Sequence, residues 1–236
     1  MKKLQRQKGF TLVELAIVLT IVGLLIGGIL KGQQLIANAK VTAQMASFKS
    51  VEAALTTFVD QYAAVPGDML TAQTRIPGCV APCANGPGTG QLGAAATYAT
   101  VWATGSAGNN VMFWVHLSKA GLLAGIPGTA ATFGQATSGL PTGKIGGGEV
   151  ATTNLVAPFT GGIWVTTVET AAAPTNVAGA QVMTPSQAAQ MDRKMDDGIP
   201  TTGSLLGLGT ANCNAAAGYV ENITTKDCNA SYKVQN

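Results

Sequence analysis

Gly9, Phe10 and Glu14 hold the first candidate chemistry of this 236-residue chain. Glu14 is the only charged residue between Phe10 and Leu30, and a carboxylate inside a membrane segment costs about 2.5–3.5 kcal/mol, so such a group is normally paired or functional. Hydrolysis of the Gly9–Phe10 bond would create a free amine at Phe10, four residues from Glu14 and on the same helix face. That amine, from the same chain or from a neighbouring one, would neutralise the carboxylate. The competing reading is an acid near a helix end that snorkels to the interface.

The cysteines Cys79, Cys83, Cys213 and Cys228 form a second set. Four thiols allow three connectivities, and proximity in sequence favours Cys79 with Cys83 and Cys213 with Cys228 in an oxidising compartment. The second pair would close about fifteen residues, worth about 3 kcal/mol in the chain-entropy treatment. A zinc site built from these thiols and His116 would require them reduced, so no metal is assigned. Asp192, Asp196 and Asp197, with Asn212 and Asn214, offer oxygen ligands for calcium. EF-hand spacing is missing and Arg193 and Lys194 stand among the acids, which favours a solvated helix end and leaves calcium binding open. Asp196 and Asp197 at a helix C-terminus oppose the helix dipole, a motive for some partner.

Little here suggests catalysis. The single histidine, His116, lies in an apolar segment and reads as a core or interface residue, and no serine or cysteine nucleophile comes with a recognisable base. Gly143-Lys144 is followed by Ile145 and so fails as a phosphate loop. The chain is therefore read as a non-enzyme without a cofactor. Asn222-Ile223-Thr224 and Asn229-Ala230-Ser231 match the N-glycosylation pattern.

These groups need elements to position them. Residues 1–9 carry Lys2, Lys3, Arg6 and Lys8 and no acid, which holds them on the cytoplasmic side of a membrane. Residues 10–30 form an apolar run long enough to span about 30 Å of hydrocarbon as a helix. An Ala-x-Ala-like site does not close this run, so a cut at Gly9 would leave it on the mature protein. Beyond it Val41, Met45, Phe48, Val51, Leu55, Phe58 and Tyr62 recur every three or four residues, with Lys40, Gln44, Lys49, Glu52 and Asp60 between them. The pattern stops at Pro66-Gly67-Asp68. One helix over residues 10–64 would be roughly 80 Å long, its second half a spine for a head at residues 65–236.

Lys8-Gly9-Phe10-Thr11-Leu12-Val13-Glu14-Leu15 resembles the N-terminal signature of type IV prepilins and of the related type II secretion pseudopilins. The resemblance implies cleavage after Gly9 by a prepilin peptidase, N-methylation of Phe10, and Glu14 as the assembly carboxylate. It also implies polymerisation with copies of itself and related pilins through an inner-membrane assembly machinery. The subunit would wait in the inner membrane and then enter an extracellular filament or a periplasmic pseudopilus. The Cys213–Cys228 segment resembles the disulfide-bounded C-terminal loop of many pilins. Close similarity runs from Lys8 to about Asp68. Many type IV pilins place a proline in the membrane helix, whereas this chain has none before Pro66 and carries Gly23, Gly27, Gly28 and Gly32 instead. Those glycines suit either local unwinding, at about 1 kcal/mol each relative to alanine, or close helix packing.

The head is rich in Gly, Ala and Thr and poor in charge, which fits a surface that packs against its own copies. Val111 to Leu123 predicts a short buried helix ending at Gly121, and Gly162 to Val168 a strand. Ala180–Met183 and Gly218–Ile223 are weaker strand candidates. Thr184-Pro185-Ser186-Gln187 predicts a capped helix running to about Asp197, with Gly198 as its stop. Asn85-Gly86-Pro87-Gly88 and Gly146-Gly147-Gly148 read as loops. The expected fold class is α+β, pilin-like, with a short antiparallel sheet in the head. The chain's fourteen Lys and Arg include the leader's four, leaving ten against eleven Asp and Glu, so basicity gives no reason to expect nucleic acid binding. The expected function is a type IV pilus-like filament subunit serving adhesion, motility or uptake. The alternatives are a pseudopilin of type II secretion or a non-polymerising, single-pass anchored binding protein.

Overall fold

The computed structural model describes residues 10–81, 83–92, 109–126, 140–153, 161–169, 181–215 and 218–235. Helix α1 spans Leu12–Tyr62, and the chain divides between Ala39 and Lys40 into two units. In the first unit every side chain from Phe10 to Leu30 is exposed. This part of α1 is long and apolar enough to cross a membrane, and its exposed Leu, Ile and Val side chains need a non-aqueous surrounding.

In the second unit α1 buries Val41, Gln44, Phe48, Val51, Leu55, Phe58 and Tyr62. The alternating spacing of three and four keeps these residues on one helix face. The face is not the one the apolar pattern alone defines. Gln44, expected among the polar positions, is fully buried, while Met45, expected in the stripe, is half-buried. Gln44 is inside because its amide is satisfied there, as described below. The helix ends at Tyr62 because Ala63 turns into the left-handed region, φ 50°, with its N–H bonded to the Val59 carbonyl at 2.8 Å. Pro66 then prevents helical geometry from resuming.

The head holds a four-stranded antiparallel sheet made of β1 (Gly148–Thr152), β2 (Ile163–Val168), β3 (Leu205–Gly209) and β4 (Cys228–Gln235), in the order β1-β2-β4-β3. Four shorter helices accompany it: α2 (Ala72–Arg75), α3 (Asn109–Lys119), α4 (Pro185–Met195) and α5 (Ala211–Asn214). Val165, Tyr232 and Leu205 lie opposite one another in register. The Tyr232 ring stacks on Phe48 at 5.6 Å, so this row faces α1. Tyr232 also receives a hydrogen bond from Lys49 and donates one to Glu52 at 2.8 Å. On the other face Thr166 and Ser231 share a hydroxyl hydrogen bond of 2.6 Å, and Trp164, Leu206 and Leu208 form a second buried cluster.

The chain's own loops meet both outer strands. Glu149 N–H bonds to Pro141 O at 3.0 Å beside β1, and Gly207 N–H to Pro200 O at 2.8 Å beside β3. Edges met in this way are poor templates for strand addition by another chain.

The α+β class with a long N-terminal helix and a short antiparallel sheet is therefore as the sequence indicates, and β2 coincides with the strand expected at Gly162–Val168. The helix expected from Val111 is α3, buried from Asn110 to Leu117 and closed at Gly121 by Leu122 N–H to Leu117 O at 3.0 Å. Helix α4 begins with the expected capping box, Thr184 with Gln187, but stops at Met195 because Asp196 leaves helical geometry. Two strand expectations fail. Gly218–Ile223 is a turn, and of Ala180–Met183 only Met183 pairs, in an isolated bridge to Cys228, while Ala180 lies outside the described residues. Gly148, expected in a loop, opens β1.

Candidate functional site

At the start of α1 the side chains of Thr11 and Glu14 are joined reciprocally. The Thr11 N–H and hydroxyl donate to Glu14 Oε2 at 2.8 and 2.9 Å, and the Glu14 N–H donates to Thr11 Oγ1 at 3.2 Å. This is a capping box, in which an N-cap threonine and a glutamate three residues on satisfy two orphan backbone donors. The sequence carries its signal, Thr-x-x-Glu before an apolar run. While Gly9 and Phe10 are joined there is no amine at Phe10. The Glu14 carboxylate then has a local donor set that holds it at the helix start. Phe10 is 91 % exposed and Leu12 87 % exposed.

Two disulfides join Cys79 to Cys83 and Cys213 to Cys228. His116 lies beside the first, with a ring nitrogen within 4.8 Å of the sulfurs. Its Nδ1 accepts the Gly67 N–H at 2.9 Å, so the proton is on Nε2, which donates to Ala84 O at 2.8 Å. With the sulfurs bonded to each other and both ring nitrogens engaged, this cluster presents no open ligand set. His116 instead pins the corner after α1 to the segment after the first disulfide. A Cβ at Gly67 would collide with the Asn109 carbonyl, and its φ of 85° also demands glycine.

Burial pushes the His116 imidazole below its usual range, partly offset by the Ala84 bond. A base whose folded pKa is depressed contributes stability above its ordinary pKa and loses it as pH falls through the folded value. The melting temperature of the head should therefore fall between about pH 7 and pH 5, where an ordinary histidine titrates. In His116→Gln this limb should flatten; thermal melts of both proteins across that range make the comparison.

Of the three aspartates at the end of α4, Asp197 is exposed as a solvated helix end requires, Asp196 is half-buried and Asp192 is inside. Asp192 is fully buried; its Oδ2 accepts from the Tyr219 hydroxyl at 2.7 Å and its Oδ1 from Gly198 N–H at 3.1 Å. Asp196 accepts from the Ser204 and Leu205 N–H groups, and Asp197 from Ile199 N–H at 2.8 Å and the Thr202 hydroxyl at 2.6 Å. The chain itself supplies hydrogen-bond donors to all three, from the loop after α4 and, for Asp192, also from Tyr219. Burial raises the Asp192 carboxyl above its usual range. The Tyr219 bond and an ion pair between Arg193 and Glu221 fasten the Cys213–Cys228 loop onto α4.

Sequence reading missed one group altogether. Glu149 of β1 is fully buried, and its Oε1 accepts from Gln44 Nε2 at 2.7 Å and Ser47 Oγ at 2.8 Å. Gln44 Oε1 in turn accepts the Lys144 N–H at 2.7 Å. Oε2 of Glu149 has no partner among the described residues. Burial holds this carboxyl above the usual carboxylate range, against the pull of the Gln44 and Ser47 bonds and of Lys144. Gln44 thus ties β1, through Glu149, and the turn before it, through the Lys144 N–H, to α1. Nothing in local spacing announces a contact across 105 residues.

A family model described as the prokaryotic N-terminal methylation motif matches residues 4–30. Comparison with curated proteins and with solved structures gives no significant match. Residues 4–30 therefore carry a type IV pilin-like prepilin signal, which supports a type IV pilin-like or pseudopilin precursor. Such a motif implies processing by a prepilin peptidase and pilin assembly, and with the apolar helix it fits membrane anchoring before assembly. Proteins bearing the motif are structural rather than enzymatic.

Proposed function

We propose that the mature chain is a structural subunit of a type IV pilus-like extracellular filament, cut between Gly9 and Phe10 and N-methylated at Phe10. The observation that carries this reading is the methylation motif at residues 4–30, in register with the exposed apolar stretch of residues 10–30, whose single carboxylate is Glu14. Residues 1–9 act as leader, 10–64 as membrane and filament helix, and 65–236 as extracytoplasmic head.

Cleavage supplies a cation at Phe10 in the segment that holds the lone anion. In lipid the two charges together cost less than either alone. A pair formed between neighbouring subunits sets their axial stagger, while the exposed apolar faces supply non-directional packing. Partners are further copies, related pilins, the prepilin peptidase and the inner-membrane assembly machinery. No catalytic role is proposed.

The test is to shear the cell surface and measure the released chain by intact mass and N-terminal peptide sequencing. A chain that begins at methylated Phe10 in sheared filaments is expected. A cut chain confined to the membrane fraction would favour the pseudopilus, and an uncut N-terminus would sink the proposal.

A further inference from the structure

Asn222 and Asn229 each begin an Asn-x-Thr/Ser sequence, and the fold gives them opposite surroundings. Asn229 sits in β4 at 1 % exposure; its amide donates to Gln181 Oε1, and its Oδ1 accepts the Val182 N–H at 3.3 Å. That nitrogen is reached only by dismantling the strand. Asn222 is the third residue of a turn, Val220 to Ile223, closed by Ile223 N–H to Val220 O at 3.2 Å. Asn222 and Thr224 are exposed, and their side chains make no hydrogen bond among the described residues.

The turn is also firmly mounted. It projects from the Cys213–Cys228 loop, held at its base by Val220 N–H to Asn212 O at 2.9 Å and by Tyr219 to Asp192. A large substituent on Asn222 Nδ2 would require none of these contacts to break, since the Asn222 side chain takes part in none of them.

We propose that Asn222 is an attachment site for an N-linked saccharide, delivered from a lipid diphosphate carrier. The Asn222 Nδ2 bonds to C1 of the sugar as the C1–O bond to the diphosphate breaks. The lipid diphosphate leaves with the bonding electrons, one amide proton passes to base, and no redox change occurs. This inference rests on the extracytoplasmic placement of the head proposed above, because only there would the folded turn meet such a carrier.

The test uses the full chain purified from its own cells, reduced and cut with trypsin. Cleavage at Lys194, Lys226 and Lys233 separates Met195–Lys226, which holds Asn222, from Asp227–Lys233, which holds Asn229. A saccharide mass on the first peptide, located at Asn222 by fragmentation, is expected. It should be lost in both Asn222→Gln and Thr224→Ala and retained in Asn229→Gln. A bare Asn222, or the saccharide on Asn229 or on a hydroxyl residue, overturns the inference. The N-terminal peptide of the same digest reports separately on the reading of the N-terminus, which fails if Phe10 is not the first residue, whatever is found at Asn222.

Discussion

Glu14→Gln should leave the chain inserted in the membrane and remove filaments from the cell surface, lowering the sheared yield at least about ten-fold, the equivalent of about 1.4 kcal/mol. The choice of glutamine follows from the capping box. Glutamine can accept from the Thr11 N–H and hydroxyl as glutamate does, so the start of α1 is preserved. What disappears is the charge that would attract the Phe10 amine. Thr11→Ala makes the opposite change, removing a cap worth about 0.5–2 kcal/mol while keeping the carboxylate. If Glu14 serves assembly, Glu14→Gln is severe and Thr11→Ala is mild. If Glu14 is merely a helix cap, the order reverses. Counting filaments by electron microscopy beside a membrane-fraction immunoblot separates insertion from assembly; a normal filament count from Glu14→Gln would end the charge-pair idea.

How far the sequence could be read follows the range of the interactions involved. The stripe Val41, Phe48, Val51, Leu55, Phe58 and Tyr62 was legible because a helix places residues three and four apart on one face, a purely local constraint. The same holds for the Thr184–Gln187 box and for the motif at residues 4–30. Gln44 was misplaced because its burial depends on Glu149, a partner from a distant strand. Strand β4 did carry a usable signal, since Ala230, Tyr232 and Val234 alternate with Asn229, Ser231 and Lys233. The alternation is weak as a signal because half of the strand is polar although most of it is buried. Strand β3, Leu-Leu-Gly-Leu-Gly, has apolar residues without alternation, and only pairing with β4 makes it a strand. His116 was correctly placed in the core, but its two hydrogen bonds join segments that lie far apart in the chain.

The Glu149 clasp should make the head lose stability as pH rises above the ordinary carboxylate range. An acid whose folded pKa is raised contributes stability in full below its ordinary pKa, and this is lost as pH rises through the folded value. In the protonated state the carboxyl accepts from Gln44 and Ser47 without an ion in the interior. Ionisation leaves a charge whose Oε2 is buried without a partner, and Lys144 offsets it only in part. Glu149→Gln keeps an acceptor for Gln44 and Ser47 and cannot ionise. It should melt close to the wild type at pH below the ordinary carboxylate range and lack the fall as pH rises. Glu149→Ala strands the Gln44 amide in the core, at about 1–3 kcal/mol for the unpaired donor, and leaves a cavity besides. Urea unfolding of the three proteins as a function of pH distinguishes the roles. A fall with rising pH equally steep in the wild type and Glu149→Gln would assign it to another group, and an unchanged Glu149→Ala midpoint would mean that Gln44 finds water when its partner is gone. With this clasp the β1 hairpin is fixed to α1 by polar contacts that require register, whereas the surrounding contacts of Phe48, Val51 and Leu55 would tolerate sliding. A hydrogen-bonded carboxyl in that place specifies which residues meet, and the upward push of burial on it lessens the cost of a buried charge.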